Sequence, residues 1–315
     1  MKNRFSDILP FDSSRVELPS TKDDYINASF VKNLGHSCPS FIITQAPLPS
    51  TYADFWIMVL EKQIELVICL LADSQMSGEI YWAVSKNEDL VIGRVKVSLQ
   101  SCNIRSYWVE RIMSVTDGKV TRVVVHLQFT AWPQRWFPES PGPLLCLVSE
   151  TLSLWSAQGR CRASVVVHCD SGAGRSGCFV VAAAFVAELQ SSNAAARLPD
   201  PVVVTAAVAR QRKNPLRDRD HLKFVYQCLL YYAQDMLMKR GILASKSTFD
   251  EKRTKQKSHT RHPSEDFLLN SLKEPSQFNM EERRASDASS TGSLKPNDSD
   301  PLSQIDPLWP IKRYS

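Results

Sequence analysis

The fold is decided by one stretch of the chain, VVVHCDSGAGRSG at residues 165–177. The valines predict a buried β-strand, the two glycines inside the stretch predict a tight loop, and the residues beyond Arg175 predict a helix. A loop of this kind turns backbone N–H groups and the positive end of the helix towards one point. The stretch therefore predicts an anion-binding cradle at residues 169–175.

Cys169 is predicted to lie at the floor of this cradle, where the N–H groups and the guanidinium of Arg175 favour thiolate over thiol. Arg175 can hold two phosphate oxygens at once, and Ser176 can hydrogen-bond the sulfur when it leaves. The alternative is an inert core cysteine, which is the usual fate of a single cysteine. The glycine loop and the arginine favour a nucleophile instead.

His168 precedes the cysteine on the predicted strand. Successive side chains of a strand point to opposite faces, so His168 should point away from Cys169 and is interpreted as a structural residue. Zinc is disfavoured for two reasons. The neighbouring His168 and Cys169 point to opposite faces of the strand, and no second pair of ligands appears at metal spacing.

Strand patterns run early in residues 1–240 and helix patterns late, which predicts an α/β fold with a single mixed, twisted β-sheet flanked by helices. The predicted strands are Phe41–Thr44, Leu66–Leu71, Leu90–Leu99, Val120–Phe129 and Ala163–Val167. The predicted helices are Tyr52–Lys62, Pro143–Ala157, Gly177–Leu189, Val202–Arg212 and Leu222–Arg240.

The composition of the 315 residues, 43% hydrophobic and 23% charged, is that of a globular protein. No apolar run reaches the roughly 18 residues of a membrane span, and the start lacks an apolar signal core, so we expect a cytoplasmic protein. Eight cysteines without close pairs disfavour disulfide scaffolds. The net charge of +5 comes without a basic stripe carrying aromatic residues, which disfavours nucleic acid as a partner.

Composition also predicts the domain organisation, because it changes near residue 240. Residues 1–240 are predicted to form one folded domain, and they carry most of the net charge of +5. Residues 241–315 are serine-rich and predict a disordered tail with short linear motifs, among them a basophilic kinase site at Ser286 and two Asp-Pro-Leu turns.

A histidine and cysteine followed by five residues and then arginine and serine resemble the signature of the protein tyrosine phosphatases. Further motifs resemble those of that family in the same order. KNRF (2–5) and LPFDSSRV (9–16) resemble its recognition loop, and DYINAS (24–29) and TQAPLP (44–49) resemble two scaffold motifs. DFWIMV (54–59) resembles the helix that follows, and WPQ (132–134) with PESP (138–141) resembles its mobile acid loop. These motifs span nearly all of residues 1–240, so the chain is identified as a member of the family.

The resemblance implies a cysteine nucleophile, a phosphocysteine intermediate, phosphotyrosine-containing proteins as substrates, and no metal or organic cofactor. It implies that Cys169, Arg175 and Ser176 are catalytic. The implied substrate-binding residues are Phe5 as aromatic wall, Asp7 on the substrate backbone, and the cradle residues Asp170, Ser171, Gly172, Ala173 and Gly174.

Gln134 departs from the family pattern, because it occupies the place of the aspartate that acts as general acid. A glutamine side chain has no proton to release at neutral pH, and general acid help is worth roughly 10² to 10⁴ in rate. Glu139, five residues further on, corresponds to a glutamate that family members already have beside the acid. We therefore expect reduced activity.

Arg217 is the second departure: the resemblance implies a substrate-binding residue at this position, where the family has a glutamine that positions water. An arginine cannot accept a proton, so the hydrolytic step should suffer as well. The alternative is that Arg217 is only a solvated surface charge. Two functions stay open: a slow phosphatase, or a phosphotyrosine-binding pseudophosphatase that acts as an endosomal trafficking scaffold.

The two ends of the chain carry further expectations. The chain begins at the recognition loop, where family domains have helices before it, so we expect a fragment of a larger protein. Residues 300–309, DPLSQIDPLW, resemble the C-terminus of a Bro1-domain-bearing, endosome-associated branch of the family. That resemblance implies endosomal sorting or adaptor proteins as partners of the tail.

Overall fold

A computed structural model describes residues 2–76, 78–158, 163–191 and 200–243 of the chain. The predicted linear motifs of the tail, including Ser286 and residues 300–309, lie outside the described residues.

Nine strands form one sheet within the described ranges, in the order β1-β2-β3-β9-β4-β8-β7-β6-β5. They are β1 (Arg15–Glu17), β2 (Tyr25–Val31), β3 (Phe41–Gln45), β4 (Leu66–Cys69), β5 (Leu90–Ile92), β6 (Val95–Ile104), β7 (Trp108–Thr116), β8 (Thr121–Phe129) and β9 (Val165–Cys169). The four central strands, β3, β9, β4 and β8, run parallel, and the outer strands pair antiparallel. The prediction of a single mixed sheet is confirmed.

The helices cover both faces of the sheet. They are α1 (Tyr52–Glu61), α2 (Gly142–Ala157), α3 (Gly174–Gln190), α4 (Pro201–Ala209) and α5 (Arg219–Lys239). Helices α2 to α5 share one apolar core with one face of the sheet, and α1 shares a second core with the other face. No helix of the described residues is long and apolar enough to cross a membrane.

Strand β9 lies at the centre of this arrangement, and all its residues are buried. Val165 and Val167 pack into the core under α2 to α5, whereas Val166 packs into the core under α1. A strand that is buried on both faces reads as a continuous run of β-branched residues, which explains the three valines.

One predicted strand was wrong. Residues 90–99 form a hairpin of β5 and β6, because Gly93 has a φ of +59° and turns the chain between Ile92 and Val95. The prediction also missed β1, β2 and β7. Strand β7 was hidden because polar residues interrupt it, and its burial alternates only over part of its length.

Candidate active site

Cys169 is the last residue of β9 and is 3% exposed. The flanking parallel strands, β3 and β4, hold the end of β9 in place. The Ala46 N–H donates to the carbonyl of Asp170 at 3.0 Å, and the Leu70 N–H donates to the carbonyl of His168 at 2.9 Å. Ligands bind at the carboxyl ends of parallel strands in open sheets, and Cys169 lies at such an end.

A cleft of about 290 Å³ opens above the cysteine. Its wall contains eight of the residues singled out from the sequence, namely Phe5, Gln134, Cys169, Asp170, Ser171, Gly174, Arg175 and Arg217. The wall also contains Leu71, Gln75 and His221, which the sequence analysis did not select. Segments from five parts of the chain therefore meet above one sulfur atom.

The other candidates lie outside this wall. Gly172 and Ala173 are buried in the turn of the loop, and Ser176 is buried beneath it with its hydroxyl unpaired among the described residues. Asp7 is exposed on the recognition loop.

The guanidinium of Arg175 faces the cleft and donates to four acceptors. Nη1 donates to the carbonyl of Leu70 at 3.0 Å and to Oε1 of Gln75 at 2.5 Å. Nη2 donates to the carbonyls of Pro133 at 3.1 Å and Gln134 at 3.3 Å. Burial lowers the pKa of Arg175 from its ordinary value, although the nearby Cys169 opposes this shift. One arginine therefore connects the cradle to the acid loop.

Gln75 and Trp132 complete this connection. The side-chain amide of Gln75 donates to the carbonyl of Trp132 at 2.8 Å, while its oxygen accepts from Arg175. The Trp132 ring is buried, with the Arg175 guanidinium 5.3 Å from its centre, and its indole N–H donates to the carbonyl of Trp136 at 3.2 Å. Trp136 itself is 76% exposed.

Arg212 supports the loop from below and is completely buried. Its guanidinium donates to the carbonyl of Gly172 at 2.9 Å, to that of Ser171 at 3.1 Å, and to the hydroxyl of Ser29 at 3.4 Å. Burial lowers its pKa to about 10. Because these carbonyls point down to Arg212, the loop is free to turn its N–H groups towards the cleft. No local pattern indicates this role, because Arg212 lies 40 residues beyond Gly172.

Gly172 has a φ of +64°, a conformation that side chains disfavour. A Cβ at this position would overlap the carbonyl of Thr44 and lie 2.8 Å from the amide nitrogen of Gln45. The loop therefore packs on strand β3 so closely that only glycine fits.

Gly172→Ala is expected to destabilise the fold by roughly 2–5 kcal/mol, combining left-handed strain with overpacking. Urea denaturation measures the change. The matched control is Gly93→Ala, since Gly93 also has a positive φ of +59° but has nothing within 4 Å of its Cβ position. The control should lose only about 1–2 kcal/mol. Equal losses in both variants would show that the contact with Thr44 has no effect.

The recognition loop is held by Arg4. Its backbone N–H donates to Gln45 at 2.9 Å, its guanidinium donates to the carbonyls of Ala46 and Pro47 at 2.8 and 2.9 Å, and it pairs with Glu79. Phe5 follows directly and lines the cleft. These contacts fix the aromatic wall relative to strand β3.

Behind the cysteine, His168 belongs to a buried hydrogen-bond chain. The hydroxyl of Tyr81 lies 2.6 Å from Nε2 of His168 and 2.9 Å from Nε2 of His126. Burial lowers the pKa of His168 to about 3, and it lowers that of His126 well below the ordinary value. The ring therefore turns away from the cleft, as the alternation of the strand predicts.

The same region assembles three potential metal ligands that sequence spacing did not reveal. Atoms of Cys69, His126 and His168 lie within 4.8 Å of one another, because they come from three neighbouring strands. However, Tyr81 already bonds Nε2 of both rings, and burial raises the pKa of the Cys69 thiol to about 12. This donor set fits a hydrogen-bond chain better than a metal, because a metal requires the thiolate and burial keeps Cys69 a thiol.

Stability is expected to fall in mild acid because of these two histidines. Both are neutral in the fold, so unfolding binds protons below the ordinary pKa of 6.5, and stability is lost as the pH falls from there towards about 3. Between about pH 7 and about pH 5 each histidine should cost roughly 2 kcal/mol. Urea denaturation at the two pH values measures this. His126→Gln should remove about half of the dependence, and a variant of the exposed His36 should leave it unchanged.

A cysteine at the end of a central parallel strand, followed by a glycine loop and an arginine that line one cleft with it, is the architecture of a cysteine-dependent phosphatase. The family model "Protein-tyrosine phosphatase" matches residues 1–231. The chain belongs to the protein-tyrosine phosphatase family.

The chain is also similar to individual tyrosine-protein phosphatases of the non-receptor type. The chain is 36% identical over 274 residues to tyrosine-protein phosphatase non-receptor type 23 of Rattus norvegicus, an alignment covering 85% of this chain and 18% of that protein. The Homo sapiens protein of the same name is 35% identical, with 85% and 17% covered. Tyrosine-protein phosphatase non-receptor type 20 of Mus musculus is 32% identical over 244 residues, with 75% and 54% covered. The chain thus spans less than a fifth of the type 23 proteins.

Proposed function

We propose that the chain hydrolyses phosphotyrosine in proteins through a phosphocysteine on Cys169. The observation that carries the proposal is the single cleft that Cys169, Arg175 and Phe5 line together. The phosphate would enter the loop, where N–H groups and the guanidinium neutralise its charge. The tyrosine ring would lie against Phe5.

The proposed reaction has two displacements at phosphorus. In the first, the Cys169 thiolate forms a bond to phosphorus and the bond to the tyrosine oxygen breaks, with its electron pair going to that oxygen. In the second, water forms the new bond to phosphorus, and the sulfur leaves again as thiolate. Arg175 would hold the equatorial oxygens in both steps, and it must exchange some of its present acceptors for them.

The first displacement should be slow on phosphotyrosine. Gln134 lines the cleft from the acid loop, but its amide cannot protonate the departing oxygen. We therefore propose reduced activity. The defect should disappear for an aryl phosphate whose leaving group has a low pKa, because that oxygen leaves without a proton.

The test is an assay of the purified chain with a phosphotyrosine peptide and with such an activated aryl phosphate. Turnover of the activated substrate is expected, with much slower release of phosphate from the peptide. Cys169→Ser should abolish both activities. Unchanged turnover in Cys169→Ser would exclude the nucleophile, and the absence of turnover of both substrates by the folded wild type would exclude an enzyme.

A second candidate function is a phosphotyrosine-binding scaffold without turnover. Gln134 and the exposed, cleft-lining Arg217 favour it, because neither side chain can transfer a proton. A scaffold would bind the labelled peptide in an anisotropy titration but would release no phenol from the activated substrate.

We also propose a cytoplasmic location, endosome association, and sorting or adaptor proteins as partners. The identity of 35–36% to the type 23 phosphatases supports this, together with the resemblance of residues 300–309. Deletion of residues 244–315 from a fluorescent fusion should then disperse it from endosomes, and an unchanged distribution would contradict a role of the tail.

A further inference from the structure

His221 lies in the first turn of α5, lines the cleft, and has no role in the mechanism above. Its ring lines the cleft together with Cys169 and Gln134, although it lies 52 positions from the cysteine in the sequence and was not selected there. Two contacts fix the ring. A carboxylate holds one nitrogen, and the anion loop lies against the other.

Asp218 holds the first nitrogen. Its Oδ1 lies 2.8 Å from Nδ1 of His221, and it also accepts the backbone N–H groups of Asp220 at 3.0 Å and of His221 at 3.1 Å at the start of α5. Burial works against ionisation of Asp218, but the hydrogen bonds from His221 outweigh it and lower the pKa of the carboxyl. A carboxylate only accepts, so Nδ1 carries a proton, and the electron pair of the neutral form of the ring is at Nε2.

Gly174 shows how closely the second nitrogen approaches the anion loop. A Cβ at this position would overlap Nε2 of His221 and would lie 2.8 Å from both Cδ2 and Cε1. The ring of Phe137 from the acid loop packs edge-on against the imidazole, with centroids 4.9 Å apart. The imidazole is therefore wedged between the acid loop and the loop that binds phosphate, with its basic nitrogen towards the latter.

We propose that His221 is the general base that activates water for hydrolysis of the phosphocysteine, with Asp218 as its positioning residue. This rests on the proposed function. Water attacks phosphorus while one of its protons passes to Nε2 of His221, and the P–S bond breaks. The products are the Cys169 thiolate, hydrogen phosphate and an imidazolium at His221. The imidazolium then returns its proton to solvent. A base must begin with an unprotonated Nε2, so the proposed role of His221 does not replace the missing acid of the first step.

A helix cap is the competing explanation of this pair, because Asp218 is the N-cap of α5. The cap needs only the backbone N–H groups, and it does not require an imidazole side chain in the cleft. The two explanations differ in what His221→Gln should do. A structural role predicts lower stability with an unchanged ratio of the two chemical steps, whereas a base affects only the second step.

The experiment uses the full 315-residue chain and the activated aryl phosphate. Phenol release and acid-quenched phosphoenzyme are followed together in wild type and His221→Gln. In the variant, the first turnover of phenol should keep its rate, the phosphoenzyme should accumulate, and its decay should slow by about 10² or more. Lys223→Gln, on the exposed side of the same helix, is the matched control and should behave as wild type.

Addition of free imidazole to a His221 variant separates the loss of a base from a folding defect. His221→Ala should regain phosphoenzyme decay when imidazole is added, which a purely structural defect would not do. Equal decay in wild type and His221→Gln, or an absence of rescue in a folded His221→Ala, would overturn the proposal. If the wild type forms no phosphoenzyme and releases no phenol, the proposed function itself fails, which is a distinguishable result.

Discussion

Gln134→Asp is expected to raise the rate on a phosphotyrosine peptide by about 10² to 10⁴, the usual contribution of a general acid. Gln134 already lies in the wall of the cleft, so the new carboxyl group would be delivered by the existing acid loop. Asp is one carbon shorter than Gln, and the loop must place it within reach of the leaving oxygen. A single-turnover assay with the peptide measures the gain directly.

The matched control is Gln134→Asn, which has the shape of the aspartate but no proton to donate. It should leave the peptide rate near that of the wild type. The activated aryl phosphate should show little gain in either variant, because its leaving group needs no proton. Similar gains with Asp and Asn, or no gain with Asp, would mean that the acid is not what limits the first step.

Arg175→Lys is expected to lower kcat/KM by about 10² to 10³, although it keeps the positive charge. A loss of this size is usual when an enzyme loses a preorganised hydrogen-bond donor that faces the charge developing in the transition state. The guanidinium serves acceptors on two sides, with Leu70 and Gln75 on Nη1 and the acid-loop carbonyls on Nη2. A lysine ammonium is a point charge and cannot span both sides while holding two phosphate oxygens.

Steady-state kinetics with the activated aryl phosphate measures this loss, since that substrate is cleaved fastest. Thermal denaturation of the same variant shows whether the fold survives. Arg210→Lys, at an exposed position after α4, is the matched control and should change neither quantity. A kcat/KM within threefold or so of the wild type would mean that charge alone suffices at this position.

The anion loop could be predicted from sequence because all its information is local. A buried strand, two glycines and the start of a helix are adjacent between Val165 and Gly177, and each has its own pattern. Strand β9, the loop and α3 therefore appear in the expected order, although β9 lies two residues beyond the predicted strand and α3 begins at Gly174 instead of Gly177. The mixed sheet itself followed from the runs of strand patterns early in the chain and of helix patterns late.

The support of the loop could not be predicted, because it comes from distant residues with ordinary local patterns. Arg212 reads as one more cation of a basic segment, and only the tertiary fold buries it under Ser171 and Gly172. Gln75 lies in the connection that follows β4, and His221 lies at the start of α5. Polar residues are common at both kinds of position. Nothing in their neighbourhood indicates that they face Cys169.

The position of Arg175 has a thermodynamic consequence. Its guanidinium donates to the carbonyls of Pro133 and Gln134 on the acid loop and to the side chain of Gln75. An incoming anion must compete for the same hydrogens, so its affinity includes the free energy of rearranging that loop. Linkage makes this reciprocal: a partner that changes the affinity for the anion through the loop has its own affinity changed by the same factor when the anion binds. A protein that contacted the exposed indole of Trp136 would thereby tune the binding of phosphate without touching the cradle.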